Sequence, residues 1–176
     1  LAINSSGNEN SAIGSSALFN NTIGSGNTAT GCQALLLNTE GHQNTAVGLR
    51  ALFSNKRNSR STAIGAGAMF SADNNQVSAA RETFNTAVGY EALKGSNTAG
   101  NNTGRWNTAV GDQSMLGNTS GDHNTAFGTS SLRSNTTGQS NTAIGDQALM
   151  NNSTGNGIVA IGKDALYKNT NRNSLV

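Results

Sequence analysis

The chain has 176 residues, a formal net charge of +2, one cysteine and no proline. Charged residues make up 11% of it and aromatic residues 5%, whereas about 25% of a typical globular domain is charged. This composition excludes a thick hydrophobic core, a single thiol excludes an intrachain disulfide, and so small a net charge gives no basis for binding nucleic acid. No apolar run approaches the length of a membrane span, so we expect no membrane insertion by this segment.

A five-residue phrase, Asn-Thr-Ala-Val-Gly or a close variant, recurs nine times. The copies begin at Asn10, Asn27, Asn44, Ser61, Asn85, Asn107, Asn124, Asn141 and Ile158. The intervals are 17 residues, except that those after Ser61 and Asn85 are 24 and 22 residues. Recurrence at a fixed spacing is the signature of a solenoid, in which one small unit stacks on itself.

Each Thr-Ala-Val predicts a short β-strand, because β-branched residues favour strands and alternate residues face opposite sides. The third position of the phrase is always Ala. A position that accepts only Ala is crowded, so we expect Ala inside a narrow coil and Thr and Val outside. The sequence leaves the reverse assignment open, in which Val and Ile face the interior and Ala faces outward. The invariant Gly at the fifth position predicts a positive φ or a close backbone approach. We interpret the Asn and Gly residues of the polar corner as turn residues, which tolerate left-handed conformations.

These features predict an all-β solenoid of about nine 17-residue coils. Residues 1–9 are expected to end a preceding coil, and residues 173–176 to begin a following one. Between them, residues 10–172 form the repeat, with longer coils at 61–84 and 85–106. At about 4.8 Å per coil, such a stack is roughly 40–45 Å long. We interpret the chain as a segment of a longer fibre.

The phrase Ile158-Val159-Ala160-Ile161-Gly162 resembles the Ser-Val-Ala-Ile-Gly core of the head repeat in trimeric autotransporter adhesins, the YadA-like family. The longer phrase from Asn85 to Leu93 is similar to repeats of phage tail fibres. The resemblance implies a left-handed parallel β-roll whose three chains associate side by side as a homotrimer. It also implies an extracellular location, on a bacterial cell surface or in a phage tail fibre. The usual repeat of that family is shorter than the 17 residues found here.

A partner chain is also expected on physical grounds. If Ala faces the interior, the Val and Ile residues form an outward apolar stripe along nine coils. Soluble monomers rarely expose so large a contiguous apolar patch, so partner chains would cover it.

The two longer coils are the first place to look for a binding site, because extra residues in a solenoid loop out, often on the binding face. Trp and Arg are favoured in binding hot spots. The candidates in or beside these coils are Lys56, Arg57, Arg60, Arg81, Phe84, Arg105 and Trp106. Such an aromatic and polar surface suits a host-cell surface glycan or a matrix protein. In the alternative interpretation, the loops brace neighbouring chains and bury Phe84 and Trp106 at the trimer seam.

The other chemically reactive residues give little indication of catalysis or metal binding. His42 and His123 have no Cys or carboxylate at a metal-ligand spacing, and we interpret them as solvated turn residues. Cys32 is expected to be an exposed or half-buried thiol. Asp112, Asp146 and Asp164 are interpreted as scattered surface carboxylates. We therefore predict no catalytic residues, no cofactor and no metal site.

The sequence thus predicts a non-enzymatic structural and adhesive fibre segment that attaches to a cell surface or matrix. The alternative is a monomeric ice-binding β-solenoid that uses an outward row of threonines. That row consists of Thr28, Thr45, Thr62, Thr86, Thr108, Thr125 and Thr142.

Overall fold

A computed structural model describes residues 3–71, 81–96 and 102–175. These ranges contain no helix and nine strands of three residues each. The strands are β1 (Ser11–Ile13), β2 (Thr28–Thr30), β3 (Thr45–Val47), β4 (Thr62–Ile64), β5 (Thr86–Val88), β6 (Thr108–Val110), β7 (Thr125–Phe127), β8 (Thr142–Ile144) and β9 (Val159–Ile161). They pair in chain order, each parallel to the next, in one sheet. The predicted all-β solenoid is therefore confirmed.

The strands keep one register throughout, because the Ala of each strand is paired with the Ala of the next. The two longer coils keep it as well, with Ala63 opposite Ala87 and Ala87 opposite Ala109. The insertion loops predicted in these coils fall largely at 72–80 and 97–101, which lie outside the described residues. The added residues therefore do not change the register of the strands.

The interior and exterior of the sheet are those expected from the strand pattern. The seven strand alanines from Ala29 to Ala143 are fully buried, whereas Ile13 and Phe127 are 66% and 57% exposed. The residue after each strand alanine faces outward and forms a column that we call the apolar row. It contains Ile13, Thr30, Val47, Ile64, Val88, Val110, Phe127, Ile144 and Ile161. The threonines before the alanines form a parallel threonine row on the same face.

A second layer closes each coil with a buried leucine or methionine in the left-handed conformation. Its members are Leu18, Leu35, Leu52, Met69, Leu93, Met115, Leu132, Leu149 and Leu166, all with φ between 49° and 51°. All but Leu166 belong to the buried core, in which Leu93 is 6% exposed and the others 0%. Their N–H groups still donate to the neighbouring coil, as Leu35 does to the carbonyl of Ala51 at 3.0 Å. Burial and this hydrogen bond offset a conformation that costs an L-residue about 1–2 kcal/mol.

The invariant glycines fulfil both of the predicted requirements. Their φ angles lie between 119° and 138°. A Cβ atom added at Gly31 would stand 2.6 Å from the carbonyl oxygen of Gly48 in the next coil. Any side chain here would therefore separate the coils.

The asparagines play a different part from the one predicted. None of the described asparagines has a positive φ, and many are completely buried. Those that begin the phrase form one internal column. In this column the Oδ1 of Asn124 accepts the N–H of Asn141 at 3.0 Å, and its Nδ2 donates to the carbonyl of Gly138 at 2.8 Å. The sequence interpretation gave the phrase asparagines no such role, whereas their amides satisfy backbone groups inside the coil.

A second column of buried asparagines runs parallel to the first. The Nδ2 of Asn135 donates to the Oδ1 of Asn118 at 2.7 Å, and the Nδ2 of Asn38 donates to the Oδ1 of Asn21 at the same distance. In most coils the two columns converge on one carbonyl, as they do at Gly41, Gly121 and Gly155. That of Gly138 accepts from Asn124 and also from Asn135, at 2.8 Å and 3.0 Å. The corner is therefore closed by side-chain amides.

Replacing Ala109 by Leu is expected to lower the free energy of unfolding by at least about 1–3 kcal/mol, because it overpacks the interior between two flanking alanines. Chemical denaturation measures the change. The control is Thr108→Val on the outer face of the same strand, which is expected to change stability by no more than about 0.5 kcal/mol. Equal stability of Ala109→Leu and the parent would contradict the interior position of this column.

Replacing Asn124 by Ala removes the acceptor of the Asn141 N–H and one of the two donors to Gly138. We expect a loss of about 1–3 kcal/mol, the cost of leaving a buried polar group without a hydrogen bond. Urea unfolding compares this variant with Gln139→Ala, which removes an exposed amide from the same corner. If the two variants were equally stable, the asparagine columns would not support the coil.

Candidate functional site

The candidate site is built on a corner that immediately precedes each strand phrase. The residue there has a positive φ in coil after coil, including 61° at Arg60, 51° at Phe84, 55° at Trp106 and 58° at His123. The shared conformation and constant register direct these side chains outward in the same way. Residues of successive coils therefore lie one above another.

Three aromatic rings stack at this corner. The ring centroids of Phe84 and Trp106 are 6.4 Å apart with planes inclined by 6°. Those of Trp106 and His123 are 4.7 Å apart and inclined by 10°. These distances fall within the range of about 4.5–7 Å in which aromatic pairs attract each other.

Two arginines add positive charge to the stack. The guanidinium carbon of Arg60 lies 5.4 Å from the centroid of Phe84, and that of Arg105 lies 4.4 Å from the centroid of Trp106. Both are within the distance of about 6 Å at which cations are attracted to aromatic faces. Arg60 is also oriented by Glu82, whose carboxylate is 3.2 Å away. We call Arg60, Phe84, Arg105, Trp106 and His123 the aromatic column.

The column unites four of the seven residues predicted as binding candidates and adds His123. The sequence interpretation of His123 as a solvated turn residue missed this contact. A signal was present, because His123 precedes Asn124 just as Phe84 precedes Asn85.

The other three candidates lie at neighbouring turns. Arg57 Nε is 3.3 Å from the carboxylate of Glu40 in the preceding coil, and both side chains are about 40% exposed. An ion pair this exposed contributes only about 0–1 kcal/mol. The carbonyl of Lys56 accepts the N–H of Glu40 at 2.9 Å, and the carbonyl of Arg81 accepts the N–H of Ser59 at 2.8 Å. Their backbones therefore join coils together.

The column is more suited to bracing than to stacking on a ligand. Trp106 has rings of neighbouring coils as stacking partners in both chain directions, and the Arg105 guanidinium lies over it as well. Phe84 and Trp106 remain 40% and 41% exposed. The faces of Trp106, which would bind a flat or ring-shaped ligand, already have partners.

Other reactive side chains stand apart from the column. Cys32 is a free, exposed thiol. The Nδ1 atom of His42 accepts the N–H of Ser25 at 3.0 Å. Within ranges 3–71, 81–96 and 102–175, no group of three or more His, Cys, Asp or Glu side chains could hold a metal ion. In the same ranges, no helix is long and apolar enough to cross a membrane.

Comparison with known proteins gives no relative from which a function could be transferred. No family model, curated protein or solved structure matches the chain. Function must therefore be argued from the surface of the solenoid.

Replacing Trp106 by Gln tests the aromatic column. Gln43 occupies the same corner with φ 56°, so the backbone accepts this residue. Loss of two ring contacts and one cation–π contact is expected to lower the unfolding free energy by roughly 1–3 kcal/mol. Thermal melting would be compared with the control Ser140→Gln at the same corner of a regular coil. The double change Arg105→Ala with Trp106→Ala should also destabilise. Unchanged melting of the Trp106 variant and the double variant would show that the column is a free surface instead of a brace.

Proposed function

We propose that this chain is a non-enzymatic fibre segment, the head or shaft of a trimeric bacterial surface adhesin or of a phage tail fibre. It acts outside the cell as a homotrimer. Its task is to extend from its anchor and to attach to a glycan or a matrix protein on a cell surface.

The observation that carries the proposal is the apolar row. Six of its nine side chains are exposed hydrophobics, from Val47 at 36% to Ile161 at 67%. Parallel strands follow one another at about 4.8 Å, so these side chains form a continuous stripe along the solenoid. A stripe of this kind on a soluble protein marks an interaction surface. Since the row repeats with the coil, a second copy in matching register can cover all of it.

A regular solenoid also suits attachment. Each coil contacts only its neighbours, so the stack grows in length without a larger core. In a trimer whose chains are in register, every surface feature would occur three times at the same position along the fibre axis. Several weak contacts held on one rod can exceed the affinity of a single contact by about 10²–10⁴.

Sedimentation equilibrium tests the assembly, and we expect three times the mass of one chain. The double change Ile64→Lys with Val110→Lys places charges in the apolar row and should shift the mass towards the monomer. The matched control, Gln139→Lys with Thr154→Lys, adds the same charge at exposed polar positions and should leave the mass unchanged. A clean monomer of the parent at micromolar concentration would remove the argument for a covered row.

The threonine row favours one other function. Its members lie beside the apolar row on the same outward face of a regular sheet, which would suit ice binding by a monomer. Thermal hysteresis measured on the sedimentation sample separates the two functions. A monomer with hysteresis supports ice binding, and a trimer without it supports the fibre.

A further inference from the structure

The corner that carries the aromatic column continues into the later coils, where its side chains are polar. In three of these coils, the residue just before the positive-φ position accepts a backbone hydrogen bond from the preceding coil. Asp122 Oδ1 accepts the N–H of Arg105 at 2.7 Å. Asn156 Oδ1 accepts that of Gln139, and Asn173 Oδ1 accepts that of Asn156, also at 2.7 Å. An aspartate in one coil therefore makes the hydrogen bond that asparagines make in two others.

One of these two asparagines is followed by glycine. Asn156 and Gly157 form the one Asn-Gly pair of the chain, whereas Asn173 is followed by Ser174. Gly157 has a φ of 65°, and a Cβ placed on it would have a single neighbour, Ser174 Oγ at 3.7 Å. The space beside the backbone of Gly157 is therefore open.

The pair is accessible to water. Both residues are exposed and lie in an open depression of about 680 Å³. The other residues that line it are uncharged and are, in chain order, Thr137, Gln139, Ser140, Thr154, Asn173 and Ser174. The phrase asparagines Asn124 and Asn141, in contrast, are completely buried. The amide of Asn156 is thus open to hydrolysis in a way that the amides of the internal columns are not.

We propose that Asn156 is a site of spontaneous deamidation, at which the side-chain amide becomes a carboxylate without an enzyme. The backbone nitrogen of Gly157 loses its proton to a solvent base and forms a bond to Cγ of Asn156. The bond from Cγ to Nδ2 breaks, and Nδ2 takes up a proton from solvent and leaves as ammonia. Water then opens the five-membered succinimide ring that has formed. The whole change consumes one water, releases one ammonia and involves no oxidation or reduction.

Two contacts of Gln139 bear on this reaction. Its N–H donates to Asn156 Oδ1 at 2.7 Å, which stabilises the negative charge that develops on this oxygen when Cγ is attacked. Its carbonyl accepts the N–H of Gly157 at 3.0 Å, and this bond must open before the proton can leave. Because the bond lies at an exposed corner, its opening costs less free energy than opening the buried interior.

The corner accepts one of the two products of ring opening. If water cleaves the bond between Cγ and the nitrogen of Gly157, residue 156 becomes aspartate. Its carboxylate can still accept the N–H of Gln139, as that of Asp122 accepts the N–H of Arg105. What is lost is the long hydrogen bond from Asn156 Nδ2 to Asn173 Oδ1 at 3.4 Å. The aspartate product is therefore compatible with the coil.

The other product is not compatible with the coil. If water cleaves the bond to the main-chain carbonyl carbon, the main chain runs through the former side chain and gains one carbon, which is isoaspartate. The carbonyl of Asn156 accepts the N–H of Ser174 at 2.8 Å, and the N–H of Gly157 donates to the preceding coil. An added carbon between these groups separates them, so the bonds to both neighbouring coils cannot be kept.

The first experiment incubates the full folded chain in mildly alkaline buffer at physiological temperature. Peptide mapping by mass spectrometry measures the conversion of each asparagine with time. Asn173 is the internal control, because it occupies the same exposed corner and accepts the same hydrogen bond but precedes serine. Asn156 should convert at least tenfold faster than Asn173. Conversion of Asn156 at or below the rate of Asn173 would overturn the proposal.

A variant tests the part played by Gly157. Gly157→Gln adds a side chain beside the attacking nitrogen, and the φ of 56° at Gln43 shows that this corner accepts glutamine. The conversion of Asn156 should slow at least tenfold while the melting temperature stays that of the parent. The control Ser140→Gln leaves the Asn-Gly pair intact and should convert like the parent. Equal conversion in Gly157→Gln and the parent would show that the glycine nitrogen is not the nucleophile.

The products are tested by thermal melting. Asn156→Asp should melt like the parent, whereas isoaspartate chains, separated from the incubated sample by ion exchange, should melt at a lower temperature. A lower melting temperature of Asn156→Asp would contradict the fit of aspartate to this corner. All of these measurements concern a single chain, so they stand whether the protein is a trimeric fibre or a monomer.

Discussion

The structure depends on hydrogen bonds between each coil and the next in a single register. Backbone N–H groups donate from coil to coil throughout, as Thr28 does to Asn44 and Thr125 does to Asn141, both at 2.8 Å. The residue types that fit a given position therefore depend on the residue at the same position of the neighbouring coil. Proline, which would remove a donor from this ladder, does not occur in the chain. The two longer coils return to the same register because any shift would break these bonds on both sides.

The interior is specified by polar groups as much as by apolar ones. Alanines and leucines exclude water but would tolerate a small slip of one coil along another. The asparagine columns would not, since amides such as that of Asn124 bond to partners at fixed positions in the neighbouring coil. A buried amide without its partner costs about 1–3 kcal/mol. The columns thus fix the register of neighbouring coils, which the apolar contacts of a thin core would not fix by themselves.

Because the interior accepts few residue types, the sequence differences between coils are confined to the outward-facing positions. One such feature stands out near the longer coils. In the aromatic column, Phe84, Trp106 and His123 direct their rings at one another. The ring faces of this column are therefore already used in contacts within the chain.

The sequence by itself determined the period, the strands, the inward alanines, the close-packed glycines and the outward apolar row. Each follows from a steric rule that acts within a few residues and is repeated nine times, so the copies reinforce one another. Only the tertiary structure decided the burial of the asparagines, the left-handed leucines and the place of His123 in the aromatic column. These features depend on what the adjacent coil brings alongside, as in the contacts of Asn124 with Gly138 and Asn141, 14 and 17 positions away, which no local pattern encodes.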